Sequence, residues 1–177
     1  MRELAYVWGV IGLATAAVPA ERQPVHTSEQ FAFVANAPLV EVFPLLGADK
    51  ERLWAPGWDP GFVWPAVASD QVGMVFRITW GEKVATWVNT VFDREAGRVQ
   101  YVYVLPDVVA TVITLQLHAR AATTEVSVRY ERTSLSPESD TLVKEMAEQD
   151  RDAGPVWASQ INTYLAQAAG RATEPSR

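Results

Sequence analysis

Two tryptophans bracket a Pro-Gly turn in Trp54-Ala55-Pro56-Gly57-Trp58-Asp59-Pro60, and a carboxylate stands near its end. A loop of this make-up can cover the mouth of a pocket, with Trp54 and Trp58 touching an apolar guest and Asp59 orienting a polar group on it. The same residues also suit a rigid plug in which Asp59 caps its own backbone. Tyr101 and Tyr103 share one face of an alternating stretch, so either hydroxyl can meet a ligand or bulk water. Trp64, Phe76, Trp80, Trp87 and Trp157 supply further aromatic surface for such a guest. Asn89 and Arg129 join Asp59 and the two tyrosines as polar groups that would set specificity.

Several reaction classes find no support. The chain has no cysteine, which removes thiolate nucleophiles, disulfides and Cys-based zinc sites together. Its two histidines, His26 and His118, have no sequence-evident partner for base catalysis, and a His-rich metal centre is not expected. No Gly-x-Ser-x-Gly elbow marks an activated serine. No Gly-rich run follows a strand and opens a helix, so no nucleotide cofactor, and no cofactor of any kind, is expected. Glu145, Glu148, Asp150 and Asp152 stand beside Lys144 and Arg151, which reads as a solvated helix face rather than a metal site. A formal net charge of -6 repels nucleic acid and anionic lipid.

The elements that must hold these residues follow from hydrophobic period and turn chemistry. Alternation over 31–35 gives a short strand, and Asn36 then reads as the N-cap of a short helix in which Leu39, Val40, Phe43 and Leu46 recur at helical spacing. Asp49 can cap a further turn at 50–53. Six strands are expected at 62–64, 74–80, 84–92, 99–105, 109–118 and 125–133, and their short separators make neighbours antiparallel. In the last of them Val126, Val128 and Tyr130 should face inward, against Glu125, Ser127, Arg129 and Glu131. In 84–92 both faces are mixed, and either can be the inner one. Ser136 caps the final element with Pro137 in its first turn. Leu142, Met146, Trp157, Ile161 and Leu165 mark the apolar stripe of that helix, and Gly154-Pro155 should kink it.

At 177 residues with 49% hydrophobic and 20% charged side chains, one globular core is expected. The order of elements is α+β: a curved antiparallel sheet wrapped around a long C-terminal helix, with room for a cavity between them. Residues 1–20 carry an apolar run ending in Val18-Pro19-Ala20, which fits a secretory signal or an uncleaved interfacial anchor. The protein is exported if that segment is cleaved and cytoplasmic otherwise. The run is too short and too rich in Gly and Ala for a stable membrane span. Residues 21–28 then form a linker, 29–169 the domain and 170–177 a loose tail.

The stretch Phe31-Ala32-Phe33-Val34-Ala35-Asn36-Ala37-Pro38 leading into Val42-Phe43-Pro44-Leu45-Leu46, with that element order, resembles the START-like, or SRPBCC, superfamily over 29–168. Glu51-Arg52-Leu53-Trp54-Ala55-Pro56-Gly57-Trp58-Asp59-Pro60 and Glu148-Gln149-Asp150 are similar to a bacterial subgroup of it. The resemblance implies a helix-grip fold with a hydrophobic pocket. That superfamily spans lipid carriers, hormone receptors, polyketide cyclases and oxygenase domains, so fold alone does not choose among them. The expected function is binding or carriage of a hydrophobic or aromatic small molecule, lipid-like or polyketide-like. The alternatives are a cyclase or dehydratase using the same pocket, with Asp59 or a tyrosine moving a proton, and an interaction module that takes no ligand. A titratable group with a shifted pKa inside the cavity would favour the enzyme.

Overall fold

The computed structural model describes residues 22–173, so the segment read as a signal or anchor lies outside the described residues. Seven strands form one antiparallel sheet: β1 (His26–Ala35), β2 (Gly61–Trp64), β3 (Val75–Trp80), β4 (Lys83–Asp93), β5 (Arg98–Leu105), β6 (Val109–Arg120) and β7 (Thr123–Ser134). Their spatial order is β1-β7-β6-β5-β4-β3-β2. Tight turns chain β3 to β7 into successive hairpins, and β1 closes the far edge by pairing with β7, Phe31 opposite Val128 and Phe33 opposite Val126. Glycine is obligatory at one of these turns. Gly97 has φ 61°, and a Cβ there would stand 2.5 Å from the Leu117 carbonyl oxygen.

Alternation places the apolar residues as expected. Val126 and Val128 are fully buried, as are Val99 and Phe76. In β4 the mixed pattern resolves with Ala85, Trp87 and Asn89 inward, and a bulge between Asn89 and Val91 then shifts the register against β5. Such a bulge bends its strand and deepens the concave face. The linker expected at 21–28 is shorter than the sequence implied, since His26, Thr27 and Ser28 already belong to β1, opposite Thr133, Arg132 and Glu131.

The concave face is covered by α1 (Leu39–Val42), two single 3-10 turns (Phe43–Leu46 and Lys50–Leu53) and two C-terminal helices, α2 (Asp140–Arg151) and α3 (Gly154–Thr173). A box between Ser136 and Ser139 caps the turn that leads into α2, where serine and proline had marked a helix start. Two expected caps are absent. Neither Asn36 nor Asp49 caps through its side chain. The Asn36 backbone N–H instead donates to Asn162 Oδ1 at 2.7 Å, while Asn162 Nδ2 donates to the Val34 carbonyl at 3.0 Å, which fastens α3 to the end of β1. The long helix is divided, and the break falls at Asp152-Ala153, before Gly154-Pro155. Proline costs nothing in a first turn, where its missing N–H has no partner to lose, so the pair starts α3. Gly154 packs against Phe31 and the Ala32 carbonyl, where a Cβ would lie 3.4 Å from the oxygen. Ile161 and Val143, both fully buried, anchor the helices to the sheet, each contributing roughly 1.5–3 kcal/mol. Among the described residues no helix is long and apolar enough to cross a membrane.

Candidate functional site

The site begins with the two 3-10 turns. Short turns leave carbonyls without intrahelical partners, and here aromatic side chains satisfy two of them and a third in the link between the turns. Trp54 Nε1 donates to the Leu45 carbonyl at 2.6 Å, Tyr101 Oη to the Leu46 carbonyl at 2.9 Å and Trp58 Nε1 to the Ala48 carbonyl at 2.7 Å. These bonds fix the turns over the end of the sheet and carry Glu51 inward. The Asp70 carboxylate takes backbone N–H bonds from Ala48 and Asp49. It occupies the space over Gly47, where a Cβ would fall 2.0 Å from its Oδ2.

Beneath the turns lies a cavity of about 40 Å³, lined by Leu46, Glu51, Trp58, Trp87, Tyr101, Ile113, Leu115, Tyr130 and Trp157. It has room for roughly three water molecules. Five aromatic side chains form most of its wall, and Glu51 is the one carboxyl in it. Burial, reinforced by the nearby Asp70 charge, pushes the Glu51 carboxyl up to about 8. Burial likewise raises Asp70, against the pull of its two backbone donors, and lifts Tyr101 and Tyr130. Glu51 is therefore uncharged at neutral pH.

Several polar atoms around this cavity are unsatisfied among the described residues. Trp87 Nε1, in the wall, has no acceptor, and Asp70 Oδ1 has no donor. Asn89 is fully buried with neither amide atom bonded. It stands opposite Tyr101 on the adjacent strand, which puts the two side chains side by side. Buried polar groups left in this state normally cost about 1–3 kcal/mol each.

A second polar cluster lies in the same core, and all its members are paired. Arg132 donates to both Asp150 oxygens at 2.5 and 2.7 Å, and to Tyr103 Oη and Thr111 Oγ1 at 2.5 and 3.2 Å. Its guanidinium also lies 4.7 Å from the Tyr130 ring centroid. Asp150, grouped from the sequence with a solvated acidic face, is buried instead and ties the end of α2 to β7.

The structure gathers four of the residues singled out from the sequence, Trp58, Trp87, Tyr101 and Trp157, into the cavity wall. Phe76 and Tyr103 back Trp87 in a stack, at 5.5 and 4.1 Å between centroids, and Trp54 backs Trp157 at 5.2 Å. Trp80 meets Trp87 and Tyr103 edge-on from a half-open position. Three others stand apart. Asp59 is 92% exposed and faces Arg52, because Pro60 takes the inward position beside it. Trp64 is 55% exposed on the edge strand β2. Arg129 belongs to the outward set of β7 and reaches Gln30 on the convex face. Glu51 was not singled out as chemistry-bearing, since one 3-10 turn has no periodicity from which to read a side-chain direction. Its only signal was its place in the 51–60 stretch. Among the described residues, no set of three or more His, Asp or Glu side chains is placed to hold a metal ion.

This architecture is a START/Bet v1-like helix-grip fold. A norcoclaurine synthase from Thalictrum flavum, solved in complex with dopamine and hydroxybenzaldehyde, superposes with TM-score 0.60 at 13% identity, covering 98% of this chain and 100% of that one. Ara h 8.0201 gives 0.56 at 13% identity over 81% and 99% of the two chains. The Mll3558 protein from Rhizobium loti gives 0.55 at 16% over 78% and 99%. No protein-family model and no curated protein sequence matches the chain. At these identities the likeness establishes the architecture.

Proposed function

We propose that the protein binds an aromatic, largely apolar small molecule between the sheet and α3, with Glu51 and the Trp87 indole N–H reading a polar group on it. The observation that carries this is a cavity walled by five aromatic side chains in which the Trp87 indole N–H has no acceptor among the described residues. A fold that buries donors and acceptors without partners tolerates that cost where a guest supplies them. At about 40 Å³ the cavity is too small for an aromatic ring, so the guest must displace protein. Trp58 is the side chain suited to yield. It is only partly buried, holds one hydrogen bond, and follows Gly57 at φ 79°. The guest ring would take its place edge-on to Trp87, where Trp58 now stands at 5.4 Å. Apolar area would supply most of the affinity, at roughly 25 cal/mol per Å² before the costs of association. The norcoclaurine synthase complex supports this reading, as a protein of like architecture holding small aromatic molecules.

The neutral hydrophobic fluorophore N-phenyl-1-naphthylamine tests the proposal. One equivalent should bind saturably with enhanced emission, and Ile113→Phe, which fills the cavity from β6, should weaken binding at least tenfold. Unsaturable emission, or equal binding by Ile113→Phe, would overturn the reading.

One observation favours a second reading. A carboxyl poised near pKa 8 inside a cavity is suited to giving and taking protons, as a cyclase or dehydratase requires. Recovery of bound small molecules chemically unchanged after prolonged incubation separates carriage from conversion.

A further inference from the structure

The proposed pocket leaves open which polar group its guest carries, and the wall is selective on this point. Trp58, Trp87, Tyr101, Tyr130 and Trp157 enclose the cavity. Aromatic faces present the negative side of their quadrupole, so a ring-walled space attracts a cation and disfavours an anion. No lysine or arginine lines it, and its single carboxyl is that of Glu51. The Arg132 guanidinium, 4.7 Å from the Tyr130 ring centroid, does not line the cavity and is paired with Asp150. We infer, resting on the binding function proposed above, that the guest carries a cationic nitrogen, a substituted ammonium seated among these rings with Glu51 as its counter-ion.

Burial and the Asp70 charge hold Glu51 protonated up to about pH 8. The groups facing it are Asp70 from the loop before β3, Tyr101 from β5 and Tyr130 from β7, while α3 presents only Trp157. Asp70 in turn feels Asp49 and Lys50. A cation arriving below pH 8 displaces the Glu51 proton to solvent, so one proton is released for each guest bound. Mass action then makes affinity for a permanent cation rise about tenfold per pH unit from about pH 6, levelling near pH 8. An uncharged guest of the same shape shows no such slope.

Benzyltrimethylammonium and its uncharged isostere neopentylbenzene, competing with N-phenyl-1-naphthylamine between pH 6 and 9, provide the test. The cation should displace the probe at least tenfold better than the isostere at pH 8.5, with the tenfold-per-unit slope below pH 8. Glu51→Gln should abolish both the slope and the preference. That amide mimics the protonated carboxyl the fold already holds, and an unchanged far-ultraviolet circular dichroism spectrum with a cooperative unfolding transition verifies its folding. Asp70→Asn should keep the slope and move its upper end to lower pH. Equal, pH-independent displacement by both compounds would overturn the cation assignment and leave the aromatic pocket standing. Failure of the probe itself to bind would overturn both.

Discussion

Two polar clusters share one apolar core and differ in a single respect. Around Arg132, donors and acceptors are matched: a bidentate carboxylate, a phenol and a threonine hydroxyl account for the guanidinium. Around Glu51, the Trp87 indole N–H, one Asp70 oxygen and the Asn89 amide lack partners among the described residues. The first cluster is an internal clamp between α2 and β7. The second has the form of half an interaction. The two clusters thus differ in the completeness of their hydrogen bonding, and the proposed function rests on that difference.

The largest effect should come from breaking the complete cluster. Asp150→Ala leaves the Arg132 charge buried and uncompensated and should cost about 3–5 kcal/mol in denaturant unfolding, while Arg132→Met with Asp150→Leu should stay near the stability of the native protein. Both should leave probe affinity within about threefold, as measured by fluorescence wherever the variant is folded. A many-fold loss of binding in the paired variant would put the clamp in the site.

The incomplete cluster should respond to pH. Glu51 has a folded pKa near 8 against an ordinary 4.5, so between those values the folded state holds more protons than the unfolded chain. Stability from this group is therefore complete below about pH 4.5 and is lost as pH rises towards 8, and Asp70 shifts in the same direction. The loss should be on the order of 2–3 kcal/mol once partial solvent access to Glu51 is allowed for. Glu51→Gln should flatten the profile and exceed the native protein at pH 8.5. A native profile that rises between pH 5 and 8 would contradict the assigned shift. The smallest effect belongs to Asn89. Replacing it by leucine of similar volume removes two unpaired groups and should stabilise by about 1 kcal/mol in urea.

Much of the frame was legible in the sequence because period-two alternation and turn chemistry are local. The strands from β3 to β7, the inward set Val126-Val128-Tyr130 and the Ser136 cap all follow from neighbours within a few residues. What escaped depends on distant parts of the chain. Asp150 looks like any acid on a polar helix until Arg132, 18 residues earlier, meets it across the core. The inner face of β4 was undecidable because Trp87 and Asn89 share it, whereas Thr86, Val88 and Thr90 share the other. Glu51 lines the cavity beneath turns that Tyr101, 55 residues beyond Leu46, helps to hold. Of the tryptophan turn, read from composition as either a cover or a rigid plug, Trp58 rather than Asp59 reaches the cavity.

A crystal structure of the protein with N-phenyl-1-naphthylamine bound tests the central claim most directly. The expected density lies between Trp87, Ile113 and Trp157, with Trp58 turned out and the N–H of the probe within reach of Glu51. A probe seated on the convex face, above an unchanged and filled interior, would contradict it.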